Sequence, residues 1–371
     1  MKDDTKFWVG FNHIKGIGPV RIEKLLDYFG NLQEAWTAQP YHLAAAGLSD
    51  KLSQQLIVTR KDLKLDALVE GLLSEGVQIL TWDDPDYPER LRQINQSPYV
   101  VYLKGNLIEE DIWSVAVVGT RRPSAYGRQV TEMLTRSLAE QGITIISGLA
   151  RGIDGIAHQM ALEVGGRTLA VLGSGLGQIY PPEHRDLASR ISSQGGLISD
   201  YPPDTPPDGS NFPPRNRIIA ALSKAVLVME AGQKSGASIT ANYAAEQGKE
   251  VFAVPGKITS PLSKGSNQLI KLGSHPLLEA QDVLDFLNMK LVARQQVVRR
   301  TLPGDPKEAV LYNTVGDEPL HVDEISNQAQ LPIEEVISTL AVMELKGMVR
   351  KTFGMKYIAV REVRGTYQIG M

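Results

Sequence analysis

Between about Ser114 and Leu287 the sequence alternates short, almost wholly apolar runs with amphipathic stretches, and this alternation leaves few folds open. The apolar runs are SVAVVG, TIISG, TLAVLG, GLISDY, AVLVMEA and EVFAVPG; between them stand GRQVTEMLTRSLAEQG, GIAHQMALEVG, EHRDLASRISSQG and SITANYAAEQG. Strands apolar on both faces must be covered on both faces, and crossover helices between parallel strands provide that cover. A doubly wound α/β domain is expected, with an extended Rossmann-like parallel sheet.

The flanks read differently. Up to about residue 80, apolar residues recur at helical spacing in RIEKLLDYFG and ALVEGLLSEG, which predicts a small helical domain. Its KGIGPVRIEKLL places Gly16, Gly18 and Pro19 ahead of a helix. This is the pattern of a helix-hairpin-helix (or SAM-like) element that grips phosphates on a helix N-terminus. It is also the pattern of a tight turn inside a helical packing domain, the favoured reading for one copy with few basic neighbours. WDDPDYPERLRQINQSPYVVYLKGN, interrupted by proline steps, reads as an ordered connection ending in a short strand. The Rossmann-like domain is assigned residues 81–290 and a linker 291–305, broken at Pro303 and Gly304. Over 306–371, helix signals at EAVLYNTVG, HVDEISNQAQ and PIEEVISTLAVMELKG precede a hairpin-like MVRKTFGMKYIAV, which suggests a winged helix.

Charge and composition narrow the function. The formal net charge of the 371 residues is −3, so a polyanion would have to be held by a local patch and not by the average field. The absence of cysteine excludes disulfides, thiolate nucleophiles and zinc knuckles. The start, MKDDTKFWVG, does not resemble a signal peptide, and no apolar run approaches the roughly 18 residues that span a bilayer. A cytoplasmic protein without a membrane partner is expected.

In an open parallel sheet, ligands sit beyond the carboxyl ends of the strands, so the turns there carry the information. After the first strand, VVGTRRPSAYG offers Gly119, Arg121, Arg122 and the capping Ser124. SGLARGIDGIAH offers Ser147, Gly148, Arg151 and Gly152; LGSGLGQIYPPEH offers Gly173, Ser174, Gly175 and Gly177. FPPRNRIIA sets Arg215 and Arg217 around Asn216, EAGQKSGASITA is another Gly/Ser turn, and VPGKITSPLSKGSNQLI adds Lys257, Lys264 and Gly265. Each turn alone is ordinary backbone geometry or a solvated arginine. Gathered by topology on one rim, they read as a phosphate-binding edge. The dinucleotide fingerprint is absent, since Arg121 stands where its second glycine belongs, and so is the P-loop. A ligand lying along the rim is favoured over one sunk into it.

At these residues the chain resembles the DprA (Smf) family of bacterial DNA-processing proteins. The marks are VGTRRPS, SGLARGIDGIAHQMAL, LGSGLGQIYPPEH, FPPRNRIIAALS, SGASITA, FAVPG and, in the connection, DYPERL. The resemblance implies a protein without cofactor that binds single-stranded DNA, protects incoming DNA, and loads the RecA recombinase onto it in natural transformation. It also implies a homodimer through the end of the central domain, around Asn267 to Leu287. Arg121 is the first DNA contact to be expected. Where relatives often carry a basic residue after Tyr-Pro, this chain reads Tyr180, Pro181, Pro182, Glu183; Arg185 is the candidate to take over that contact.

Two rivals are weighed on their residues. A nucleotide phosphoribohydrolase of the related fold carries a catalytic glutamate in the turn after the fifth strand. EAGQKSGASITAN has none in the matching place, and Glu246 lies further along the helix. Asp154 and His158, four apart, could mimic an acid–base pair but more often mark a helix start and a partly buried histidine. No histidines pair as metal ligands. A duplex-reading transcription factor needs a basic recognition helix, whereas PIEEVISTLAVMELKG carries Glu334, Glu335 and Glu344 against Lys346. From Lys307 onward there are seven basic and nine acidic residues, 7 − 9 = −2, and only the wing, with Arg350, Lys351 and Lys356, is basic. Phe212 and Tyr180 are the stacking candidates, and each is as readily a packing residue.

Overall fold

The computed structural model describes residues 4–233, 235–287, 305–315, 320–345, 349–352 and 355–359. They form two compact units, one ending at Val283 and the other beginning at Leu284. No described helix is long and apolar enough to cross a membrane.

The first unit opens with six helices: α1 Thr5–Asn12, α2 Pro19–Phe29, α3 Leu32–Thr37, α4 Pro40–Ala45, α5 Asp50–Asp62 and α6 Leu65–Ser74. Local chemistry sets their ends. Gly18 and Pro19 start α2 and Gly30, at φ 80°, stops it; the Asn31 and Ser49 side chains cap α3 and α5. Their apolar faces are not a separate core. Trp8, Phe11 and Trp36 belong to one buried cluster with Tyr99, Tyr102, Leu172 and Leu197 of the sheet region.

The sheet has nine strands: β1 Val77–Thr81, β2 Val100–Gly105, β3 Ser114–Val118, β4 Thr144–Ser147, β5 Thr168–Val171, β6 Gly196–Ser199, β7 Ala225–Val228, β8 Glu250–Ala253 and β9 His275–Pro276. Their order is β1-β2-β6-β5-β4-β3-β7-β8-β9. From β6 to β9 all neighbours are parallel, while β2 joins β1 and β6 antiparallel. Residues of β3, β4, β5, β6 and β7 are buried throughout, as their unbroken apolar runs require.

Helix α7 (Glu89–Arg92) precedes β2; α8 (Ala125–Glu140), α9 (Ile153–Glu163), α10 (Arg185–Gln194), α11 (Phe212–Leu222) and α12 (Gly236–Glu246) connect the parallel strands. Helices α13 (Lys264–Lys271) and α14 (Ala280–Phe286) follow β8. The FPPRNRIIA segment, treated above as a turn, is thus the start of a helix. Pro213 and Pro214 fall in its first turn, where no intrahelical N–H bond is lost. Arg215 through Leu222 are all buried, so α11 shows no amphipathic period to read. The chain moves outward from β3 to β6, then returns to place β7 on the other side of β3. That reversal opens a crevice at the carboxyl ends of β3 and β7.

The second unit is the winged helix. Helices α15 (Pro306–Thr314), α16 (Val322–Ala329) and α17 (Ile333–Leu345) accompany an antiparallel sheet of β10 (Leu320–His321), β12 (Lys356–Ala359) and β11 (Val349–Thr352). Leu311, Ile325, Val336, Leu340, Met343 and Tyr357 are its buried centre. The expected linker, apart from Asp305, and the residues after 359 lie outside the described residues.

Candidate functional site

The crevice is built around a turn only glycine can make. A Cβ on Gly119 would stand 2.5 Å from Ile153 Cγ1 and 3.0 Å from the Glu230 carbonyl oxygen. Thr120 N–H then donates to that carbonyl at 2.8 Å, tying the end of β3 to the end of β7. Gly152, at φ 77°, completes the turn; a Cβ there would strike the Thr120 carbonyl oxygen. Between these fixed points Arg121 and Arg122 are exposed.

Glu230 went unnoticed in the sequence. It is 2% exposed, and its carboxylate accepts from Ser124 N–H at 2.8 Å and from Ser124 Oγ at 2.6 Å. Ser124 Oγ in turn caps α8 by accepting from Gly127 N–H at 3.1 Å. The N-terminus where a Rossmann fold seats pyrophosphate therefore already carries an internal anion. The signal available was a lone acid closing an apolar strand in VLVMEA, beside a chain-distant capping serine.

Two depressions meet at Arg121. One, of about 380 Å³, is lined by Gly119, Phe212, Asn216, Gly236 and Thr240 among others. The other, of about 520 Å³, is lined by Arg128, Arg151, His184 and Arg190; Arg121 borders both. A row of rings and guanidinium groups runs along them. Arg121 lies 5.4 Å from the Phe212 ring, Phe212 lies 5.8 Å from Tyr180, and Arg151 lies 5.7 Å from the Tyr180 ring. Both aromatics are half-buried, leaving part of each ring accessible. Arg128 and Arg190 were not singled out in the sequence, being single charges on the faces of α8 and α10 with nothing local to distinguish them.

The expected rim residues divide into those at the surface and those beneath it. Arg121, Arg151, Arg185 and Lys257 are exposed, but Arg185 and Lys257 border neither depression. Arg151 is forked onto Glu183 at 2.5 and 3.1 Å, and this guanidinium holds the Glu183 carboxyl below its usual range. Several expectations are corrected by burial. Ser147 is fully buried and donates to the Val117 carbonyl oxygen at 2.6 Å, so its hydroxyl faces inward. Ser174 is 2% exposed and donates to the Gln178 carbonyl oxygen at 2.6 Å. Gly148 N–H donates to Asp154 at 3.1 Å and Gly175 N–H to the Thr205 carbonyl oxygen at 2.9 Å, so neither amide is open to a phosphate. Gly173 is packed beneath Phe212, 2.6 Å from where its Cβ would lie.

The arginines of α11 are buried too. Arg215, 3% exposed, donates to the carbonyl oxygens of Gly148 (2.8 Å) and Val171 and to Asn216 Oδ1 (3.1 Å). Burial, opposed by Asp154, pushes its guanidinium down to about 10. It braces the ends of β4 and β5 from below and also lines the first depression. Arg217 pairs with Asp200 at 2.8 Å and donates to the Gln96 and Pro214 carbonyl oxygens, both at 2.9 Å, away from both depressions. Asn216 does border the first depression and donates to the Gly236 carbonyl oxygen at 3.4 Å.

The acid–base candidates are both buried, Asp154 at the wall of the first depression. His158 is fully buried, its Nδ1 2.6 Å from Thr168 Oγ1, and burial, then His184 and Arg215, push it down to about 3. Asp154 is raised by burial while accepting from Gly148. Glu246 closes α12, whose first residue Gly236 borders the crevice; ten residues of helix separate them by about 15 Å. Among the described residues no group of three or more His, Asp or Glu could hold a metal ion.

Known proteins resemble this chain over most of its length. Residues 78–288 match the family model of DNA recombination-mediator protein A, and residues 299–355 that of the DprA winged helix domain. Protein Smf of Synechocystis sp. is 36% identical over 95% of this chain and 98% of its own length; Protein Smf of Escherichia coli is 37% identical over 96% of each. Among solved structures, DNA processing protein A from Streptococcus pneumoniae superposes with a TM-score of 0.65 at 33% identity, covering 77% of this chain and 98% of that one. DNA processing protein A from Helicobacter pylori, whose structure concerns its single-stranded DNA binding mode, gives 0.52 at 31% identity over 57% and 97%.

Proposed function

The chain belongs to the DprA (Smf) family of DNA-processing proteins, and from that premise we propose that it binds single-stranded DNA along the Arg121 rim, in the cytoplasm and without catalysing a reaction. The observation that carries the reading is the convergence of Arg121, Arg128, Arg151 and Arg190 around one groove in a chain of net charge −3. Guanidinium groups fork onto phosphate oxygens, and the accessible parts of Phe212 and Tyr180 offer faces to splayed bases. A single strand can follow such a bent line of contacts; a stiff duplex cannot. The Helicobacter pylori relative, by its description, binds single-stranded DNA.

The family resemblance extends the proposal to loading of RecA recombinase on the held strand during transformation, and to a homodimer. Support for the dimer is apolar exposure at the end of the central domain, where Leu272 is 74% and Leu278 66% exposed. The hydrolase alternative is disfavoured because Asp154 and His158 are buried in internal hydrogen bonds and Glu246 stands at the far end of α12.

A gel-shift titration across salt, with one sequence offered as single strand and as duplex, tests the reading. Tighter binding of the single strand, with affinity falling steeply as salt rises, is expected. Equal affinity for both forms would refute it, and release of base from nucleoside monophosphates would favour the hydrolase.

A further inference from the structure

The segment DYPERL plays no part at the rim, and the fold puts its residues to two uses. Tyr87 and Leu91 are buried, 4% and 0% exposed, whereas Asp86, Glu89 and Arg90 line a groove of about 530 Å³. Leu80 of β1, Leu103 of β2, Leu169 of β5 and Leu222 at the end of α11 give it an apolar floor. Ile108 and the single turn Glu109–Ile112 add to its wall.

The floor is apolar because this face of the sheet is built for burial, and its cover is incomplete. Helix α11 packs against β3, β4 and β5, and α12 against β7 and β8. Towards β1 and β2 the helix that joins this layer is α7, four residues long, whose Leu91 shares a cluster with Val101 and Leu103. Leu80 and Leu107 are left half-buried, and Ile108 and Ile112 are 37% and 46% exposed. Apolar residues gathered at the surface in this way mark an interaction site. In the order β1-β2-β6-β5, Leu80 and Leu169 stand three strand spacings apart, about 14 Å. That is the length of about nine residues of helix, so the floor suits a segment of chain and not a small molecule.

Charge selects the kind of segment. Four carboxylates line the groove, those of Asp86, Glu89, Glu109 and Asp111, against the guanidinium of Arg90. Arg90 donates to the carbonyl oxygens of Leu222 at 2.8 Å and Ile112 at 2.5 Å, so its donors are directed at backbone. Asp111 is forked by Arg167 at 2.6 and 2.9 Å, and Glu89 has Arg92 at 3.8 Å. Asp86 and Glu109 are exposed and have no hydrogen bond or ion pair among the described residues. A nucleic acid or an anionic membrane would be repelled by these two carboxylates. A second copy joined face to face about a two-fold axis would bring the same acids against them. Lysines or arginines beside apolar residues match both wall and floor.

We propose that this groove docks a basic amphipathic segment of a second protein, its apolar side on the leucine floor and its cations at Asp86 and Glu109. The groove shares no lining residue with the depressions at the rim and does not depend on what the rim binds.

Fluorescence anisotropy of the full chain with a labelled synthetic helix of about twelve residues tests it, with leucine along one face and lysine elsewhere. The comparison peptides are the same residues scrambled, the same pattern with glutamate for lysine, and a fragment of about one helical turn. The Leu/Lys helix should bind at least about tenfold more tightly than the scrambled peptide or the fragment, and the Leu/Glu helix should not bind. Asp86→Lys with Glu109→Lys changes exposed residues only. It should weaken the Leu/Lys helix about tenfold, the scale of two exposed charge pairs, and confer binding of the Leu/Glu helix. Ile108→Ser with Ile112→Ser should weaken the Leu/Lys helix even at high salt, where the exposed charges are screened. Arg121→Ala should leave its affinity unchanged. No binding, equal binding of the scrambled peptide or the fragment, or an affinity that neither pair of substitutions alters would overturn the proposal. Sedimentation of the charge-reversed chain supplies the last check: a change in the number of chains would assign the groove to a second copy and overturn it as well.

Discussion

Arg121 borders both depressions at the crevice and lies over the Phe212 ring, so it is the side chain whose loss should cost most at the rim. Arg121→Ala is expected to weaken single-strand binding about tenfold and to reduce the salt slope by about 0.7, the share of one phosphate contact on a single strand. Titrations at several salt concentrations measure both, and an unchanged slope would displace the site from Arg121. Glu183 acts in the opposite sense. Its carboxylate occupies the fork of Arg151, so phosphate must displace it to use that guanidinium. Glu183→Gln should therefore tighten binding a few-fold at low salt and have little effect at high salt, where exposed charges are screened. His158 makes a contribution to stability that acid removes. Thr168 Oγ donates to the Ile145 carbonyl oxygen at 2.7 Å, so it accepts from His158 Nδ1–H, and the bare Nε2 is buried without a partner. Folded, the ring resists protonation until about pH 3; unfolded, it takes a proton near pH 6.5. Stability from this residue is complete above pH 6.5 and is lost as pH falls from there toward 3, by an amount on the order of a few kcal/mol. Urea midpoints between pH 7 and 4 should fall less steeply for His158→Asn than for the wild type.

Elements explain which parts of this were visible in the sequence. Strands β3 to β8 were legible because a sheet covered on both faces needs apolar residues at nearly every position. Helix α11 was not, because it opens on two prolines and is buried all round, which removes the 3.6-residue period. The short edge strands β1 and β9 also gave no distinct signal; β9 is two residues long. At the rim, glycine and arginine positions were legible as types but not as roles. The sequence lists Arg215 and Arg217 as charges, and only the fold shows that Val171, Gly148 and Asp200 already hold them. Arg128 and Arg190 reach the groove by helix placement, which no local pattern encodes. The pairing of Glu230 with Ser124 joins residues 106 positions apart. It fastens α8 to β7 and thereby sets the loop carrying Arg121. Glu230→Ala leaves Ser124 N–H without that acceptor, at a cost of about 1–3 kcal/mol. A lower denaturation midpoint is expected together with weaker single-strand binding. Lower stability with unchanged binding would show that the loop holds Arg121 without this anchor.

At the scale of the whole molecule, a chain of net charge −3 must concentrate its attraction for a polyanion. Helix α17 of the winged helix offers little of it, since its first turn carries Glu334 and Glu335 and Lys307 is already paired with Glu335 at 2.9 Å. One rim with few cations binds a strand only modestly, since each phosphate contact is weakened by salt. Two rims on one strand would bind far more tightly, because the second contact becomes intramolecular. This is the advantage the proposed dimer would confer, and Leu272 and Leu278 are where it can be removed. Leu272→Glu with Leu278→Glu places charges on residues that are exposed in the single chain, so folding should be little affected, while an apolar interface would be broken. Sedimentation should then report one chain where the wild type reports two. Affinity for a long oligonucleotide should fall by about 100-fold, while that for a strand too short to reach a second rim should stay the same. Wild-type protein sedimenting as one chain, or an equal loss on short and long strands, would mean that avidity plays no part and that a single rim carries the binding.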